Sequence, residues 1–182
     1  MKIFIIGHTN IDTLKVGIAL QSKNDDLSIA PSFISNEEHE NSQYLYYMDK
    51  ETINISYKNN ALLYVYTNDN ESIGMTYDDY YNNSIFCMST HSFNIIPDVI
   101  FNGDNDTLIV WVDSNNIRPT DSDVLDIPYV EERIVSLNYL YFCNEDVETI
   151  SNVVNKYVNG DEEIRNELLY DYEWYKNILN IF

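Results

Sequence analysis

Residues 2–20, KIFIIGHTNIDTLKVGIAL, constrain the fold more than any other stretch. An unbroken apolar run reaches Gly7, a short polar turn follows, and apolar positions then recur at helical spacing. A strand apolar on both faces belongs in a parallel sheet covered on both sides. Ile11, Leu14 and Ile18, widened by Val16 and Leu20, give the helix over about 12–22 its buried face. Gly17 in its middle costs about 1 kcal/mol relative to Ala.

The remaining chain repeats this alternation. ALLYVYT, SIFCMST, TLIVWVDS and NYLYFC read as strands. MDKETINISYKNN reads as a short helix with Asp49 as its N-cap and Glu51 in the first turn. NDNESIG reads as a turn and MTYDDYYNN as a short helix. NEDVETISNVVNKYV reads as a helix capped by Asn144 and closed by Asn159-Gly160. Residues 22–43 read as mostly loop with one short strand near Ser28, and 114–134 as a polar stretch with two prolines. A last helix over 161–182 carries Ile164, Leu168, Tyr172, Tyr175, Ile178, Leu179 and Phe182 on one stripe. The expected architecture is α/β: three layers, a mostly parallel sheet flanked by helices, and a C-terminal helix. Residues 1–158 form the domain, and 159–182 a helix packed on it or used as an interface.

Charge narrows the partners. Ten basic residues stand against 30 acidic ones, a formal charge of −20. Such a chain repels nucleic-acid phosphates and anionic membranes, so neither is expected as a partner. A protein with a basic surface, or a second copy, fits better. Cys87 and Cys143 sit in apolar runs and read as reduced thiols of a cytoplasmic compartment. The histidines stand apart and no Cys or His spacing suits a metal, so no metal site is expected. No apolar stretch of about 18 residues is present to cross a bilayer. The wealth of Tyr, Asn, Ile and Asp points to an AT-rich coding genome, as in viruses, phages and low-GC microbes.

The turn after Gly7 has the layout of a phosphate-binding loop. A working loop, G-x-x-x-x-G-K-[ST], wraps phosphate in backbone N–H groups, neutralises it with Lys and holds Mg²⁺ with a hydroxyl. Aligned on Gly7, the chain reads GHTNIDTL: Asp12 replaces the second Gly, Thr13 the Lys and Leu14 the Ser/Thr. Lys15 lies roughly 200° further round a helix of 3.6 residues per turn, pointing away from the loop. Asp12 supplies a carboxylate where phosphate would dock, and caps the free N–H groups itself. Taken alone, GHTNIDTL reads as a capped β-α turn. His8 is a lone loop histidine. Asp113 ends an apolar strand, where α/β crevices lie; capping and a Mg²⁺-ligand role are both open to it. In the last helix, Tyr170, Tyr172, Trp174 and Tyr175 form a candidate interface, with Tyr170 and Trp174 off the main stripe.

Taken together, the segments resemble a P-loop nucleoside monophosphate kinase of the guanylate kinase type, in degenerate form. KIFIIGHTNIDTLKVGIAL is similar to the family's first strand, loop and helix. YYMDKETINISYKNNALLYVYT resembles its nucleobase-side segment and SIGMTYDDYY its Gly-x-x-Tyr turn. TLIVWVDS resembles the central strand ending in Asp, and LNYLYFCNEDVETISNVVNKYV the last strand and helix. The order holds over about 1–158. The resemblance implies a vestigial nucleotide-binding loop of Gly7, His8, Thr9, Asn10, Asp12 and Thr13. It implies a candidate ligand pocket of Tyr47, Gly74, Tyr77, Asp113, Arg118 and Arg133. Phosphoryl transfer needs a cationic clamp, and no Lys or Arg lies between Lys58 and Arg118.

The expected function is therefore that of a catalytically inactive kinase-like protein, with no catalytic residues and no cofactor, kept as a binding or structural component, conceivably of a virus particle. Two alternatives stand beside it. One is an active nucleoside monophosphate kinase using ATP and Mg²⁺, with Arg118 or Arg133 as the missing cation. The other is an acidic nucleic-acid mimic that blocks a basic enzyme.

Overall fold

A computed structural model describes residues 1–8, 12–37, 42–67, 71–101, 106–114, 129–130, 133–134 and 137–164. Its centre is a four-stranded parallel sheet in the order β6-β1-β7-β8, with β1 Lys2–Gly7, β6 Ile85–Ser89, β7 Thr107–Asp113 and β8 Asn138–Cys143. The two inner strands are the most continuously apolar, because each is covered on both faces. Ile5 lies between Cys87 and Val110, and the rungs end with Gly7 beside Ser89 and Val112.

Side chains alternate across this sheet and create two cores. Ile3, Ile5, Val110 and Leu140 pack under helix α1 (Thr13–Gln21) and helix α5 (Val147–Val158) through Val16, Leu20, Ile150 and Val154. Phe4, Ile6, Ile109 and Trp111 face the other way, onto Phe93, Ile96, Phe101, Val130 and Ile134. Phe93 belongs to α4 (Thr90–Asn94), a short helix within the stretch between the strands SIFCMST and TLIVWVDS. This is the expected three-layer α/β architecture.

A second sheet, unforeseen in the sequence, adjoins the second core. Its order is β3-β2-β5-β4, with β2 Ser32–Ile34, β3 Leu45–Tyr47, β4 Leu62–Thr67 and β5 Ser72–Thr76. Only β2 and β3 run parallel. The helix α2 (Lys50–Lys58) covers it through Ile53, against Phe33 and Leu62. Asp49 caps α2 as expected, its carboxylate accepting from Thr52 N–H at 2.9 Å.

Several expectations shift. The segment from Ser72 is a strand and not a turn, and the helix α3 (Tyr77–Asn82) starts only after Thr76. Thr76 and Asp79 form a reciprocal capping box, which sets that start. The loop expected over 22–43 contains β2, while the strand expected near Ser28 is a single bridge from Ile29 to Ile85. The cap of α5 is Asp146, accepting from Thr149 N–H at 2.8 Å, and Asn144 instead takes a left-handed backbone, φ 60°. Residues 162–164 are helical; the rest of the C-terminal helix, with Tyr170, Tyr172, Trp174 and Tyr175, lies outside the described residues, as do Thr9, Asn10 and Arg118.

A candidate functional site at the carboxyl ends of the parallel strands

In a parallel sheet with helices on both faces, ligands meet the chain at the carboxyl ends of the strands. Here those ends bring together Gly7 and His8 from β1, Ser89 and Thr90 from β6, Asp113 from β7 and Cys143 from β8. His8 and Asp113, remote in sequence, meet because β1 and β7 are neighbours. His8 is 2% exposed, and its Nε2 lies 3.2 Å from Asp113 Oδ1. The Tyr141 hydroxyl donates to Asp113 Oδ2 at 2.9 Å, and Ser114 N–H to Oδ1 at 2.6 Å. Burial, then the Asp113 carboxylate it bonds, push the Tyr141 phenol above its ordinary range, with Cys143 adding to the shift. It stays a neutral donor. Tyr141 was legible only as a strand residue; its role depends on β8 lying beside β7.

At the start of α1, Asp12 Oδ1 accepts from Lys15 N–H at 3.3 Å, as the capped turn requires. Lys15 does not point away. Its Nζ curls back to 3.1 Å from Asp12 Oδ2, because positions three apart lie on one side of a helix. Both groups are well exposed. Thr13 opens the helix and is buried.

The residues assigned to a ligand pocket do not converge as a set. Gly74 lies inside β5: an added Cβ would stand 2.4 Å from Phe33 Cζ and 2.5 Å from the Tyr64 carbonyl oxygen. It is a packing glycine, not a turn glycine. Tyr77 begins α3, donates its N–H to Ala61 O at 2.9 Å and stacks on Tyr81. The Tyr47 hydroxyl donates to Glu37 at 3.1 Å near the surface. Its neighbour Tyr46 is the better connected: its hydroxyl donates to Asp79 Oδ2 at 3.0 Å, tying β3 to the cap of α3. Burial and the Asp79 charge push that phenol well above its usual range.

Arg133 is also committed. Its guanidinium donates to the carbonyls of Phe93 and Ile96 and pairs with Asp98 at 2.6 Å. It stacks over Phe93 and Phe101, 5.3 and 4.9 Å from the ring centroids. A cation satisfying carbonyls at the end of α4 is structural. Among the other described cations, Lys2 donates to the carbonyls of Tyr80 and Asn83, and Lys23 pairs with Glu148. No group of three or more metal-ligating side chains forms among the described residues.

No protein-family model matches this chain, and no curated protein matches it. A solved structure does: guanylate kinase from Anaplasma phagocytophilum aligns over 92% of this chain and 86% of its own, with a TM-score of 0.52 and 9% identity. The chain has a P-loop kinase-like fold. At that identity the likeness is one of architecture, and it supports the resemblance expected from segment order. In the kinase-like fold, the turn between β1 and α1 and the end of β7 face the same crevice. His8, Asp113 and Tyr141 occupy it here.

Proposed function

We propose that this protein keeps the kinase-like fold as a binding or structural component and does not transfer phosphoryl groups. The arrangement of Asp12 carries the reading. Its carboxylate occupies the N-terminus of α1, accepts a helix N–H and is balanced by Lys15. That is the place where a P-loop would offer unpaired N–H groups and positive charge to a phosphate. One exposed ammonium, already paired, cannot balance several phosphate charges in a chain of net charge −20. The Asp113 carboxylate, which could hold Mg²⁺, already accepts from Tyr141 and Ser114 and lies against His8. Arg133 is spent on carbonyls. The loop is thus a degenerate Walker A, no nucleotide or metal cofactor is needed, and the acidic surface suits a basic protein surface or a second copy. A place in a virus particle agrees with the composition.

The test is direct. Purified full-length protein should show an unchanged melting temperature with millimolar ATP or GTP plus Mg²⁺. It should form no ADP with GMP, AMP, CMP or dTMP as acceptor. A rise of several degrees together with ADP formation would establish the active kinase instead.

A further inference from the structure

Side-chain polar atoms buried without a partner are few in folded proteins, and each costs about 1–3 kcal/mol if left dry. Among the described residues, His8 Nδ1, Thr90 Oγ1 and Trp111 Nε1 are three such atoms. Their side chains are 2%, 0% and 6% exposed. All three lie on one face of the parallel sheet and towards one end of it. His8 continues the series Phe4 and Ile6, Thr90 continues Phe86 and Met88, and Trp111 follows Ile109, all in the core beneath α4. His8, Thr90 and Asp113 each stand one residue beyond the last common rung, Ser89–Gly7–Val112. Neighbouring strands are about 4.8 Å apart, so these groups line one small region. The Trp111 ring meets Tyr141 edge-on at 5.5 Å, which joins it to the hydroxyl on Asp113.

The chemistry of the three atoms is specific. With Nε2–H turned to Asp113, the neutral imidazole keeps Nδ1 as an acceptor. The indole Nε1–H can only donate, and a threonine hydroxyl can do either. An anion has no proton for His8 and would face the Asp113 charge. A cation cannot accept from Trp111. A neutral hydroxyl both donates and accepts, and satisfies the set. The region also has a way in, since Asp113 and Tyr141 beside it are 24% and 50% exposed.

We propose that this end of the sheet binds a small uncharged polyol or sugar. One of its hydroxyls donates to His8 Nδ1 and accepts from Trp111 or Thr90, with Asp113 holding the His8 tautomer. The proposal rests on the reading of the crevice as closed to phosphate. Titration of full-length ¹⁵N-labelled protein with ribose, myo-inositol and glycerol, and separately with ribose 5-phosphate, tests it by NMR. At least one neutral probe should saturably shift both the His8 ring and the Trp111 indole resonances. Thr90→Val, nearly isosteric, should weaken that binding by about tenfold, as loss of one hydrogen bond does. Should that variant not fold, Trp111→Phe takes its place. Ribose 5-phosphate should bind at least about tenfold more weakly than ribose. The proposal falls if none of the three neutral probes saturates, which would leave internal water as the partner. It falls equally if the phosphate ester binds as well as ribose, or if the variant leaves binding unchanged. Either failure is separable from failure of the non-catalytic reading, which is decided by ATP-dependent stabilisation and ADP formation.

Discussion

His8 Nε2 lies 3.2 Å from Asp113 Oδ1, linking the carboxyl ends of β1 and β7 at the base of the crevice. The same carboxylate takes the Tyr141 hydroxyl on its other oxygen, so one side chain joins three neighbouring strands. Hydrogen bonds to a charged group contribute more than neutral ones, and a partner left buried and unpaired adds its own penalty. Asp113→Ala should therefore lower stability by about 2–4 kcal/mol, mostly by stranding His8. Tyr141→Phe removes only a half-exposed donor and should cost about 0.5–1.5 kcal/mol. Urea unfolding midpoints of the two variants check this. Equal, small losses would mean that Asp113 acts as a loop carboxylate and not as the hub.

Arg133 and Asp98 form the second relationship that decides function. The guanidinium is 14% exposed, whereas Asp98 is open to solvent. Arg133→Met should cost about 2–4 kcal/mol, because the carbonyls of Phe93 and Ile96 lose their charged donor. Asp98→Asn should cost less than about 1 kcal/mol, as exposed pairs do. Thermal denaturation of both variants, with and without ATP and Mg²⁺, should show this asymmetry and no nucleotide effect. A nucleotide-dependent shift lost only in Arg133→Met would make the arginine a phosphate ligand after all.

What the sequence revealed and what it hid divide along a physical line. β1 and β7 were legible because strands buried on both faces are runs of apolar residues, and α2 because Asp49 marks its start. β2 and β3 were not. Three residues each, set among polar neighbours, they become strands only by pairing with each other and with β5. β5 hid behind Gly74, which reads as punctuation but is small because Phe33 and the Tyr64 backbone press on it. His8 and Asp113 were each visible as isolated candidates. Their contact depends on which strands adjoin, and local periodicity does not encode sheet order. Tyr46 was missed in favour of Tyr47 for the same reason: the choice rests on which face of β3 meets Asp79.

Gly17 and Gly74 allow a paired test of close packing. An added Cβ at Gly17 would come within 2.5 Å of Cys87 Sγ, so the residue that weakens α1 by propensity lets it press on β6. Gly17→Ala should destabilise by about 1–3 kcal/mol, with Cys87→Ala in the same chain restoring most of the loss. At Gly74 the obstacle includes backbone, which cannot swing aside. Gly74→Ala should cost more, about 3 kcal/mol or above, with no single second-site rescue. Chemical denaturation of the three variants measures both. A stabilised Gly17→Ala would show that helix propensity outweighs the contact.

Cys87 also sets how the protein responds to alkali. Burial pushes its thiol up to about 12 from an ordinary 9.0, and the Asp12 charge pushes the same way. Burial likewise pushes the Tyr64 phenol up to about 12 from 10.0. Both groups stay protonated in the folded chain while the unfolded chain ionises them at its lower values. Their contribution is thus whole below pH 9 and is lost progressively as the pH climbs towards 12. The urea midpoint should be flat from about pH 7 to 8.5 and fall above 9, the thiol titrating first. In Cys87→Ala the fall should begin nearer pH 10, where only the phenol remains. Midpoints at half-unit steps of pH, with the ionised thiolate followed by its ultraviolet absorbance, decide the matter. A decline that starts at the same pH with and without the thiol would assign the alkaline sensitivity to other groups.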